Sequence, residues 1–128
     1  MSRQQEMLTN FFRKNGAVIE LQSFQARHPQ TGKAVELNNL IARWFPQRNN
    51  RVLLCAHYDT RPFPDRDPTN PGGVFIGAND GGSGVAVLME LSNHLLQLPG
   101  SAGVDSAGVD IVLFDGEELV FRCSLELR

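Results

Sequence analysis

Two short apolar runs, RVLLCAHY at 51–58 and VDIVLF at 109–114, stand on either side of a glycine-rich loop and a stretch of helical periodicity. That order constrains the fold more than any other feature of the chain. Strand, helix and strand in succession imply a parallel pair joined by a right-handed crossover, and so an α/β architecture. Unbroken apolar runs of this kind are expected to be buried on both faces, at the centre of the sheet. The helix is expected over Val85 to Leu98, with Val85, Leu88, Met89, Leu95 and Leu96 on one face. Glu90, Asn93 and Gln97 then point away from it.

The upstream third adds one helix and one hairpin. Residues 2–15 read as a helix, with Met7, Leu8, Phe11 and Phe12 on its apolar side and Gly16 as its stop. Ala17 to Phe24 alternates, with Ile19, Leu21 and Ser23 opposing Glu20, Gln22 and Phe24, as a strand does. HPQTGKA is a turn, and ELNNLIARWF returns as a second strand paired in a hairpin. PQRNN reads as a turn. PGSAGVDSAG reads as a flexible loop, and the echo within SAGVDSAGVD as a local duplication. The fold expected is therefore α/β, a mixed sheet with parallel central strands and flanking helices.

Composition removes several function classes. A chain of 128 residues holds one domain at most, and 41% hydrophobic with 20% charged residues is ordinary for a globular protein. A net charge of −2 gives no footprint for nucleic acid or an anionic membrane. No apolar run reaches the roughly 20 residues that span a bilayer. The N-terminal stretch MSRQQEMLTNFFRKNG lacks a signal-length apolar segment. As written the chain reads as cytoplasmic, or as secreted or periplasmic if its true N-terminus is missing. Cys55 and Cys123 make neither a disulfide framework nor a zinc spacing, and Cys55 is expected to be a buried small hydrophobe.

The polar residues that matter leave the ends of the apolar runs. His57 and Asp59 follow the first, and Asp115, Glu117 and Glu118 follow the second. In open α/β sheets, ligands bind beyond the carboxyl ends of the strands, so the two clusters are expected to meet there. Asp80 joins them from GANDGGSG, where Gly77, Gly81, Gly82 and Gly84 allow a sharp turn into the helix and the helix dipole favours a carboxylate. A His with several carboxylates suits Zn²⁺. Adjacent glutamates can divide the labour, one on the metal and one free as acid or base. Each motif has an ordinary reading: a structural His, a helix-entry turn with Ser83 as N-cap, a solvated glutamate pair. A phosphate loop is disfavoured because no GK[ST] follows the glycines. Three such motifs in order at strand ends favour the metal.

HYDT, GANDGGSG and FDGEEL, in this order, resemble the zinc-dependent aminopeptidase family that also contains the glutaminyl cyclases. AVIELQSF, RVLLCAHYD and IVLFDGEE lean towards the cyclase branch, while GANDGGSG is worded more like the peptidases. The resemblance covers residues 1–121 and implies a zinc exopeptidase fold, phosphorylase/hydrolase-like in class. It implies Asp80 and Glu118 as zinc ligands and Glu117 as general acid/base. His57 would hold a second zinc in the two-zinc peptidases, with Asp80 bridging, and the motif persists in the one-zinc cyclases.

The family supplies a further Asp and a further His ligand after DGEE, whereas this chain continues as FRCSLELR. Neither His28, in the hairpin turn, nor His94, facing out of the helix, replaces them by motif. The expectation is a truncated N-terminal part over 1–121, with a tail over 122–128 that lacks the family's pattern. Three functions stay open: a cyclase forming pyroglutamate on peptide or protein N-termini with release of ammonia, an aminopeptidase in which Glu117 activates water against the first peptide bond, and an inactive remnant. An exposed sheet edge would favour self-association.

Overall fold

The computed structural model describes residues 1–28, 31–97 and 107–120. Helix α1 spans Arg3–Lys14, strands β1 and β2 span Val18–Arg27 and Ala34–Trp44, and β3 spans Arg51–His57. Helix α2 follows over Gly82–Ser92 with a 3₁₀ turn at Leu95–Gln97, then β4 over Gly108–Phe114 and the short α3 over Glu117–Val120. The sheet order is β1-β2-β4-β3. β1 and β2 form the expected hairpin, β2 and β4 are antiparallel, and β3 and β4 are parallel. The loop reading of PGSAGVDSAG falls mostly outside the described residues, as do Cys123 and the 122–128 tail.

Local sequence explains how α1 starts and stops. Ser2 and Gln5 form a capping box: the Ser2 hydroxyl accepts from the Gln5 N–H at 3.2 Å, and the Ser2 N–H donates to Gln5 Oε1 at 2.8 Å. Gly16, at φ 86°, turns the chain out of the helix, as expected of a stop. Helix α2 begins three residues earlier than its apolar periodicity indicated and gives way at Ser92. Ser83 is not its N-cap. That position is Gly81, and the Ser83 hydroxyl donates to the Asn79 carbonyl inside the first turn.

The helices α1 and α2 cover one face of the sheet only. Leu40, Ala42 and Trp44 of β2 lie opposite Leu113, Ile111 and Val109 of β4, and β3 continues the same row with Leu54 and Ala56. Leu8, Phe12 and Leu88 from the helices close this row into one core. Phe12 meets Trp44 edge to face at 6.0 Å between ring centres. The other face carries Leu53 and Cys55, both exposed, Leu53 at 61%.

Two expectations about β3 are therefore corrected. It is not buried on both faces, and Cys55 is not a buried hydrophobe. An apolar run holds no alternation to say which face a helix covers, and β3 is the edge strand of the described sheet, with β4 alone beside it. Of the parallel pair, β4 is interior. A bidentate ion pair locks the two strands together: Arg51 donates to Asp110 at 2.7 and 2.6 Å and holds its carboxyl below the usual carboxylate range.

Candidate metal centre

Parallel pairing makes β3 and β4 end at the same edge. His57 lies opposite Phe114, and the Tyr58 N–H donates to the Phe114 carbonyl at 3.0 Å. The turn before α2 brings Asp80 to the same place. Asp80 Oδ1 is 3.3 Å from His57 Nε2, while His57 Nδ1 faces Asp59 Oδ1 at 3.4 Å and Glu117 Oε2 at 3.9 Å. Gly81 makes this approach feasible. Its φ is 86°, and a Cβ there would sit 3.1 Å from both the Asp59 carbonyl and His57 Cε1.

Asp59 organises the glutamates. Its carboxylate accepts the Glu117 N–H at 3.3 Å and the Glu118 N–H at 2.9 Å, so it satisfies the opening N–H groups of α3 from another strand end. Asp115 behaves differently from the other carboxylates grouped with it. Its side chain accepts from the Asn38 N–H at 2.8 Å and its own N–H donates to Asn39 Oδ1 at 3.0 Å. It ties the β4 turn back to β2 rather than joining His57.

The two glutamates stand in contrasting surroundings. The Glu117 side chain is 37% exposed, whereas that of Glu118 is 3% exposed. Arg61 Nε donates to Glu118 Oε2 at 2.8 Å. Burial pushes the Glu118 carboxyl up from its ordinary value, and the neighbouring Asp80 carboxylate pushes the same way against the opposing pull of Arg61.

Among the described residues, no group of three or more His, Cys, Asp or Glu side chains is arranged as a ready metal cage. The individual donors nonetheless fit a cation. Glu118 Oε1 is buried without a hydrogen-bond partner, and the Asp80 carboxylate is near enough to Glu118 to push its carboxyl up. Imidazole nitrogen and carboxylate oxygen are the donors zinc takes. Buried polar atoms are normally paired, so an orphaned carboxylate oxygen next to a second carboxylate is where a cation would relieve both.

Tyr58, between His57 and Asp59, is the anchor for this strand end. Its hydroxyl accepts from Gln5 Nε2 at 2.8 Å and donates to the Asn38 carbonyl at 2.6 Å, while Gln4 Nε2 donates to the Tyr58 carbonyl at 2.8 Å. Burial, chiefly, raises its pKa from 10.0 to about 12. A raised pKa for an acid means that the folded state keeps the proton longer than the unfolded state. The associated stability is complete below pH 10 and is lost as pH rises from there through 12. Tyr58 is the chain's sole tyrosine, so tyrosinate absorbance reports it alone. We expect that titration to be centred near pH 12, with the unfolding midpoint falling between pH 10 and 12 and Tyr58→Phe flattening the fall. A phenol titrating at its ordinary value in the folded chain would show the clamp to be absent.

A cavity of about 300 Å³ adjoins the site, lined among others by Leu37, Asp59, Pro62, Asp115, Glu118 and Leu119. His28 also lines it, and His94 lies away from the site, exposed and 3.2 Å from Glu90. Sequence reasoning passed over Arg61. Its place four residues after His57 in HYDTR was the available signal, but nothing local in the sequence reveals a partner 57 residues away.

Residues 39–127 match the model of peptidase family M28, a span that runs past residue 121. The glutaminyl-peptide cyclotransferase of Gloydius blomhoffii is 29% identical over 118 residues, covering 85% of this chain and 30% of that protein. The crystal structure of Fimbriiglobus ruber glutaminyl cyclase is 44% identical with a TM-score of 0.82, over 91% of this chain and 38% of the other. A zinc-dependent exopeptidase from Parabacteroides distasonis is 32% identical with a TM-score of 0.75, over 88% of this chain and 37% of the other. The chain spans less than two fifths of the length of each of these relatives. Family and neighbour both point to zinc, and no described helix is long and apolar enough to cross a membrane. Cyclase and exopeptidase share this fold, and with a family match over more than half of its length the chain belongs to peptidase family M28.

Proposed function

We propose that residues 1–121 form the N-terminal part of a zinc-dependent glutaminyl-peptide cyclotransferase, acting on the N-termini of peptides or proteins. The observation that carries this reading is the pair at the opening of α3: a buried Glu118 with one oxygen unpartnered, next to an accessible Glu117. The 44% identity to a glutaminyl cyclase supports the branch. Asp80 and Glu118 would hold the zinc, with His57 alongside. When bound, zinc supplies Lewis acidity towards a substrate carbonyl. Glu117 accepts a proton from the α-amine of an N-terminal Gln as that nitrogen attacks the side-chain amide carbon. It returns the proton to the nitrogen that leaves as ammonia.

An aminopeptidase is the second reading, and the contact between His57 Nε2 and Asp80 Oδ1 favours it as a place for a second ion. The products separate the two. Pyroglutamyl peptide with ammonia marks the cyclase, and a free amino acid marks the peptidase.

The metal assignment can be tested on the 128-residue chain. Three protein ligands and a water complete a catalytic zinc site; Asp80 and Glu118 supply two and His57 only stands in for the third, so we expect weak binding that Asp80→Ala and Glu118→Gln each abolish. Isothermal titration with zinc reads this directly. Stoichiometric zinc that survives dialysis against chelator and ignores Asp80→Ala would remove the assignment.

A further inference from the structure

We infer that Arg61 is a positioning residue for Glu118, holding one carboxylate oxygen so that the other is presented to the metal. The inference rests on the zinc reading above. Glu118 is fixed at two points: its N–H donates to Asp59 Oδ2 at 2.9 Å, and its Oε2 accepts from Arg61 Nε at 2.8 Å. Oε1 is the buried oxygen left without a partner. With backbone and Oε2 both held, the carboxylate is oriented so that Oε1 is the oxygen left for a cation.

Arg61 is itself held. Its Nη1 lies 3.3 Å from Asp65 Oδ1, and its guanidinium carbon is 5.8 Å from the centre of the Phe75 ring. Asp65 and Phe75 both belong to the loop between β3 and α2, so that loop acts as a brace behind the ligand. A planar guanidinium suits this task because its donor directions are fixed, which an ammonium cannot reproduce. Groups that orient metal-binding carboxylates commonly contribute about 10- to 100-fold in metal affinity.

Charge and positioning predict opposite signs, which makes the test decisive. Arg61 places a positive charge beside the expected cation, so by Coulomb repulsion alone its removal would tighten zinc binding. If its work is to hold Glu118, removal weakens binding. We expect Arg61→Met in the 128-residue chain to bind zinc about 10- to 100-fold more weakly by chelator competition. We expect Arg61→Lys to restore part of the loss, and the visible bands of the cobalt-loaded chain to shift in Arg61→Met. Asp65→Asn, which loosens Arg61 and leaves the pair in place, should give a smaller fall in the same direction and covers the case in which Arg61→Met does not fold. Parent-like or tighter zinc binding in both Arg61→Met and Asp65→Asn would overturn the inference alone. Binding by the parent that is indifferent to Glu118→Gln would overturn the zinc reading and this inference with it.

Discussion

Replacing Glu117 by Gln in a complete cyclase domain carrying these residues should lower turnover by a factor of about a hundred to ten thousand, the usual worth of a positioned acid/base. Zinc content should not change. Gln keeps the size and the hydrogen-bonding reach of Glu and removes its ability to take a proton. The geometry motivates this split. Glu117 is 37% exposed, with Oε2 3.9 Å from His57 Nδ1, so its carboxylate is open to solvent at the strand ends. Glu118 is enclosed, braced by Arg61 and left with one free oxygen. Glu118→Gln should therefore lose zinc and activity together. Metal analysis and ammonia release on the same preparations distinguish the two cases. If Glu117→Gln released the metal and Glu118→Gln kept it, the roles would have to be exchanged.

The fold was legible wherever a local pattern decided it. Apolar periodicity and a glycine stop marked α1, alternation marked β1, and the order of strand, helix and strand gave the parallel pair. The convergence of the strand-end residues was legible for the same reason: once β3 and β4 run parallel, His57 and Glu118 must emerge at one edge. What escaped were facts set by partners distant in sequence. The face of β3 left uncovered depends on where α1 and α2 pack, and no residue within RVLLCAH encodes that. Asp115 looks like its neighbours in FDGEEL, and only the position of Asn38 and Asn39 on β2 turns it away from the site. The Arg61–Glu118 pair is of the same kind. Short-range pattern identifies which residue types gather, and long-range packing decides which of them touch.

Phe12→Ala should be among the most damaging core changes at the described residues, and its effect should reach the strand end that carries His57. Phe12 is fully buried, 5.7 Å from the Phe11 ring and 6.0 Å from Trp44, both edge to face. Trp44 in turn donates its indole N–H to the Asn15 carbonyl at 2.8 Å, so the two rings pin the end of α1 to the sheet. Truncation to Ala removes a buried ring and leaves a cavity, which costs about 3–5 kcal/mol. The better helix propensity of Ala returns only about 0.5 kcal/mol. Against a total stability of about 5–15 kcal/mol for a domain, that is a large fraction. Val18→Ala, at a side chain 55% exposed, should stay within about 0.5 kcal/mol of the parent. Urea unfolding with an unchanged slope measures both. The same helix carries Gln4 and Gln5 to Tyr58, so loosening α1 should also release the clamp on HYD and bring the Tyr58 titration down from about 12 towards 10.0. A Phe12→Ala chain within about 1 kcal/mol of the parent would mean that α1 does not dock through this ring, since losses at buried aromatics run well above that. A destabilised chain whose tyrosine still titrated near 12 would instead uncouple the helix from the site.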